Sequence, residues 1–210
     1  MSTLTRQYTA TETLQGFYIK TQDDLFFLST DYDMDAINPH KEFGVVKFIT
    51  IRNRSFTGDV VCKNIDDLND YITQRIKIDA DFLIRPLYLL DHSGVSIRTA
   101  PFHDTWDSGT IGYALCTKQN VIDRYGTDEN WKQNAVEIIE DEVNQYDCYL
   151  KGAVYRVTLY KYDPDTRQWD VYKVCGGFYT DDEESIAEEF FDMSKCKIIT
   201  KDDSCQGCDS

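Results

Sequence analysis

Apolar positions along the chain follow two periods, and the switch between them marks the elements. Gly16-Phe17-Tyr18-Ile19-Lys20 and Leu25-Phe26-Phe27-Leu28 flank the turn-rich Thr21-Gln22-Asp23-Asp24, which predicts a pair of short strands. Asp31 to Lys41 reads as a loop broken by Asn38-Pro39. Val45, Val46, Phe48, Ile49 and Ile51 are β-branched or aromatic, so 44–51 is expected as a strand. Asn53 to Gly58 turns, and Asp59 to Cys62 pairs back. Ile65, Leu68, Ile72 and Ile76 then recur at helical spacing, predicting a helix over about 64–77 capped by Asn64 or Asp66.

The centre returns to strands. Phe82 to Leu90 is apolar but holds Arg85-Pro86, so it is expected at a sheet edge or a bulge. Asp91-His92-Ser93-Gly94 is a turn, and Val95 to Thr99 is its hairpin partner. A loop over 100–109, a strand over 111–116 and a short helix capped by Thr117 follow. The clearest helix runs from about 128 to 150. Trp131, Ala135, Ile138, Ile139, Val143, Tyr146, Tyr149 and Leu150 form its apolar stripe, and Gly152 stops it. Residues 153–162 and 169–179 make a hairpin around Asp163-Pro164-Asp165-Thr166, with Gly176-Gly177 as a bulge. A last helix is expected over 181–193, with Ile186, Phe190 and Met193 inward. The order predicts an α+β fold: a mostly antiparallel sheet, one long helix and two or three shorter ones. The division is a small strand-rich region with one helix (1–80) and a main α+β domain (81–210), or one domain overall.

Charge changes this picture. The 210 residues carry 37 acids and 22 bases, a net −15, of which residues 101–210 contribute −12. Such a chain is repelled by nucleic acid and anionic membrane and attracted to a basic partner. No apolar run is long enough to span a membrane, and the start of the chain does not read as a secretory signal. The odd count of seven cysteines points to reduced thiols in a cytosol. Cys62, Cys116 and Cys175 are expected as core filler. Cys205-Gln206-Gly207-Cys208 would need Cys175 and Cys196 to complete a zinc site; with no second CxxC and no His in the last hundred residues, a frayed polar tail is the expected reading. No metal and no cofactor are expected.

Candidate chemistry is sparse. There are three histidines, His40, His92 and His103. A hydrolase reading takes Ser93 or Ser108 as nucleophile, His92 or His103 as base, and Asp104 or Asp107 as its orienter, with Asp91 beside them. Neither serine sits in a GxSxG elbow. The plainer reading has Asp91, Ser93, Asp107 and Ser108 bonding their own turn backbones while Trp106 anchors the loop on the core. Phosphate-loop, dinucleotide and HExxH motifs do not occur. The strongest signal is acidic: Glu137, Glu140 and Asp141 on the long helix, and Asp181, Asp182, Glu183, Glu184, Glu188 and Glu189 on the last. One reading is a solvated face. The other is a carboxylate surface that imitates nucleic acid and competes for a Lys/Arg-lined groove.

Leu89-Leu90-Asp91-His92-Ser93-Gly94, Trp106-Asp107-Ser108-Gly109, Gly112-Tyr113 and Tyr146-Asp147-x-Tyr149-Leu150-x-Gly152-x-Val154-Tyr155 follow one another in order. In these motifs, over roughly residues 80–180, the chain resembles a family of uncharacterised proteins carried by phages and mobile elements of Gram-positive bacteria. Phe102-His103-Asp104-Thr105 departs from the family's form. The family supplies no reaction to transfer. The resemblance implies a bacterial cytosol under invasion, where small acidic proteins inhibit CRISPR effectors or restriction enzymes. The expected function is therefore anti-defence binding to such a host nucleic-acid enzyme. The competing expectations are a hydrolase working through 91–109 and a non-catalytic structural or regulatory phage protein.

Overall fold

The computed structural model describes residues 16–78, 81–92, 94–103, 106–180 and 185–199. It is an α+β protein with two mostly antiparallel five-stranded sheets and five helices among these residues. The strands are β1 (Gly16–Lys20), β2 (Leu25–Tyr32), β3 (Lys47–Ile51), β4 (Val60–Cys62), β5 (Phe82–Asp91), β6 (Val95–Arg98), β7 (Ser108–Thr117), β8 (Val154–Asp163), β9 (Gln168–Tyr179) and β10 (Lys197–Ile199). The helices are α1 (Pro39–Phe43), α2 (Ile65–Ile78), α3 (Lys118–Tyr125), α4 (Trp131–Lys151) and α5 (Ser185–Glu188).

Contacts divide the chain at 36/37 and 152/153, not near residue 80. Residues 37–152 form one unit, an insert, and the flanking stretches on either side form the other. The flank unit holds the sheet β10-β1-β2-β8-β9, so strands from both ends of the chain pair in it. Ile19, Phe26, Leu28, Val157 and Leu159 make a core with Ile186 and Ala187 of α5, and Tyr18, Phe27 and Trp169 make a second, aromatic one. The insert holds the sheet β4-β3-β7-β5-β6. Its main core packs Phe48, Leu87, Ile97, Ala114 and Cys116 against Ala135, Ile138, Ile139, Val143 and Tyr146 of α4. These helix residues are the predicted stripe, and Gly152 ends α4 at φ 73 as a C-cap that favours glycine.

Several local expectations hold for the physical reasons given. Pro86 lies where β5 pairs with β7 alone, because β6 begins its pairing only at Tyr88, and the register shifts just after Leu87. Gly176 and Gly177 sit opposite Arg156 in a register shift between Tyr155 and Val157. The Asp33 carboxylate fills the space a side chain would need at Gly176, accepts the Gly177 N–H (3.0 Å) and pairs with Arg156 (3.0 Å).

Others are corrected. Asn38-Pro39 does not break a loop but starts α1. The Asn38 side chain accepts the Lys41 N–H, and Pro39 has no N–H to leave unpaired at the first helical position. β4 pairs with β3 in parallel, because residues 52–59 carry the chain across before it resumes the same direction. Leu68 and Ile72 are buried on α2, but Ile65 and Ile76 are exposed; the helix buries a narrower stripe than its isoleucines suggest. Within the predicted 181–193 helix only α5 is helical among the described residues. Asp181, Asp182, Glu183 and Glu184, together with the Cys205–Cys208 motif, lie outside the described residues.

Candidate functional site

Two histidine–aspartate pairs stand in the insert. The first is on the surface. Asp91 ends β5, and its N–H donates to the Asp107 carbonyl (3.0 Å), just beyond the Leu90–Ser108 end of the β5–β7 pairing. This brings His92 Nδ1 to 2.7 Å from Asp107 Oδ2, with His92 64% exposed. A carboxylate at that distance holds the proton on Nδ1 and leaves Nε2 to act as a base. Beside the pair lies a shallow groove of about 290 Å³, walled by Asp91, Trp106, Asp107, Ser108 and Ile111. The Asp91 carboxylate accepts from the Ser55 hydroxyl, a partner far away in sequence.

The sequence candidates are thus partly assembled. His92 and Asp107 meet, Asp91 and Ser108 line the groove beside them, and Ser93 and Asp104 lie outside the described residues. His103 is exposed. Among the described residues the carboxylates of Asp91 and Asp107 bond side chains, Ser55 and His92, rather than their own turn backbones. Trp106 does not anchor the loop on the core: it borders the groove and is 94% exposed.

The second pair joins a largely buried imidazole to a half-exposed carboxylate, and the sequence reading did not single it out. His40, on α1, is stacked on Phe48 (4.2 Å between ring centres, 12° between planes) and on Tyr146 (5.4 Å). Its Nε2 lies 3.1 Å from both carboxylate oxygens of Asp59, and Asp59 also accepts the Phe48 N–H at 2.7 Å. The His40 side chain is 11% exposed, and its Nδ1 has no hydrogen-bond partner among the described residues. Nearby, the buried Glu142 of α4 accepts the N–H groups of Val45 and Val46 (3.0 to 3.1 Å). Thus α1 and the start of β3 are fixed to α4 by a carboxylate and an imidazole. The one cue was Glu142 itself, an acid set beside Val143 on the edge of the apolar stripe. Burial also pushes the nearby Cys116 thiol up to about 11, with Glu142 adding to the effect, so it stays protonated.

The acidic candidates fare unequally. On α4, Glu140 pairs with Arg85 (3.3 Å), Asp141 pairs with Arg124 (3.5 Å), and Glu137 accepts from Gln133 (3.2 Å). Two of the three carboxylates are therefore neutralised within the insert. Glu188 and Glu189 are exposed, as are Asp23, Asp31, Asp165 and Asp170, and none of the six has an ion-pair partner among the described residues. All six belong to the flank unit. By sequence that unit carries 19 acids against 9 bases, and the insert 18 against 13.

Among the described residues no group of three or more His, Cys, Asp or Glu side chains is placed to hold a metal ion. No helix among them is long and apolar enough to cross a membrane. No family model, curated protein or solved structure matches the chain.

Proposed function

We propose that the protein binds a basic, nucleic-acid-handling partner in a bacterial host and inhibits it, in the manner of an anti-CRISPR or antirestriction protein. The observation that supports this reading is the set of six exposed, unpaired carboxylates on the flank unit. Unpaired surface carboxylates keep their full field, whereas those of α4 are largely cancelled by Arg85 and Arg124. Opposite charge would speed encounter with a Lys/Arg-lined cleft and make binding sensitive to salt. The proposed surface shifts accordingly, from both late helices to Asp165, Asp170, Glu188 and Glu189 with their neighbours on the flank unit. The test is capture of partners from a host lysate on the full chain, eluted with rising salt, followed by CRISPR-effector and restriction-enzyme assays. The expected result is a basic partner released by salt and inhibited by the wild type, but not by a variant with lysine at those four positions. Failure to capture a basic partner at low salt, or inhibition by the reversed variant, rejects the reading.

One observation favours a second reading, a hydrolase. The 2.7 Å contact of His92 with Asp107 supplies a base and its orienter at the edge of a groove that includes Ser108. A fluorophosphonate that reacts with activated serines tests it. Labelling that disappears in both His92→Ala and Asp107→Asn supports the hydrolase; absence of labelling removes it.

A further inference from the structure

In the flank unit β9 is an edge strand. It spans twelve residues, and over 168–175 it pairs with β8 alone among the described residues, which leaves that stretch of its other edge without a neighbouring strand among them. Val171, Tyr172 and Val174 are exposed along it. A free edge presents a row of backbone N–H and C=O groups, which an added strand can satisfy. At the hairpin end of β9 lies a groove of about 380 Å³. Asp24, Asp163 and Asp170 line it, with Lys161, Tyr162 and Tyr172. Lys161 stands opposite Asp170 in the β8–β9 register but pairs with Asp24 at 2.9 Å, and neither Asp163 nor Asp170 has an ion-pair partner among the described residues. The Thr166 hydroxyl and the Asp165 N–H hold Asp163 below the usual carboxylate range, so it stays charged.

We infer that β9 and this groove seat an extended, arginine-bearing segment of a protein partner: the segment adds to the sheet as a further strand, and a guanidinium enters beside Asp163 and Asp170. The inference rests on the proposed function, of which it names the contact. Three features select the occupant. The two unmatched carboxylates call for a cation, and the tyrosine walls suit a planar, weakly hydrated one that stacks, which favours arginine over lysine. The open edge calls for a strand rather than a helix. A second copy of the chain fits poorly, since it would bring its own Asp163 and Asp170 and another strongly acidic unit to the same edge. Asp170 and Lys173 on the strand also guard it against indiscriminate pairing.

The probe is a labelled peptide of about eight residues alternating arginine and valine, a length suited to one added strand. Lysine–valine and glutamate–valine peptides serve as comparisons, and the intact chain is titrated with each by fluorescence anisotropy and amide NMR. The arginine peptide is expected to bind best, the lysine peptide more weakly and the glutamate peptide not at all. Amide shifts are expected over 168–175. Asp170→Lys should weaken binding roughly tenfold, and Tyr172→Ala should weaken it while leaving the circular dichroism unchanged. Glu140→Lys, in the insert, should leave binding as it is. No binding, shifts centred elsewhere, undiminished affinity in both Asp170→Lys and Tyr172→Ala, or concentration-dependent pairing of β9 with itself would each overturn the inference. A partner captured from lysate by a chain that ignores the peptide would sink this inference alone; peptide binding without any captured partner would sink the function proposed above.

Discussion

The two histidine–aspartate pairs of the insert have the same chemistry and differ in the burial of the imidazole, 11% exposed in His40 and 64% in His92. His92 and Asp107 meet at 2.7 Å on an exposed loop, whereas His40 of α1 meets Asp59 at 3.1 Å with its ring packed against those of Phe48 and Tyr146. In water the first pair contributes little to stability, because solvent screens it and both side chains lose freedom in forming it. In the second pair the His40 ring is largely buried against Phe48 while Asp59 stays open to solvent, and Asp59 also fixes backbone through the Phe48 N–H, so loss of the ring leaves a packing defect. Contact distance alone would have ranked them the other way; burial decides.

The largest effect should come from breaking the buried member. His40→Ala removes a ring stacked on Phe48 and leaves Asp59 without its partner, and an expected loss of about 3 kcal/mol follows from the cavity and the lost bonds. Denaturant midpoints measure it, and a loss equal to that of His92→Ala would erase the contrast drawn above. Glu142→Ala comes next. Two backbone N–H groups lose their acceptor, for roughly 2 kcal/mol, and Glu142→Gln should recover part of it because one oxygen remains. If Ala and Gln behave alike, the carboxylate is not what fastens Val45 and Val46 to α4.

A pH scan sharpens the buried side further. The Cys116 thiol titrates at about 11 in the folded protein and near 9 when unfolded. Between those values the unfolded chain has lost a proton that the folded one keeps, so stability falls as pH rises from 9 towards 11. Melting temperatures at pH 8 and 10.5 should converge in Cys116→Ala, and native Cys116 should resist iodoacetamide at pH 8. The smallest effect is expected at the exposed pair: His92→Ala should change stability by about 0.5 kcal/mol or less. Any functional loss in that variant would then belong to chemistry or binding rather than folding.

The charge pattern repeats the lesson on a larger scale. Glu140 and Glu188 look alike in sequence, each in a run of acids with few bases beside it. The fold brings Arg85 of β5 to Glu140, 55 residues away, and brings no cation among the described residues to Glu188. Which carboxylates keep their field is a tertiary property.

How much of this was legible in the chain follows the range of the forces involved. The apolar stripe of α4 and its Gly152 stop, the Thr117 cap, the bulge at Gly176-Gly177 and the α+β class are written in spacing, side-chain shape and backbone freedom, which act over a few residues. The parallel pairing of β4 with β3, the insertion of residues 37–152 between strands of one sheet, the exposure of Trp106, the His40–Asp59 stack and the anchoring role of Glu142 are not. Each depends on which distant segments meet and on how much water they leave behind. Local pattern sets what an element is; only the packed chain decides whether a given imidazole or carboxylate faces solvent, a cation or a backbone N–H, because desolvation and pairing are properties of neighbours that sequence distance does not reveal.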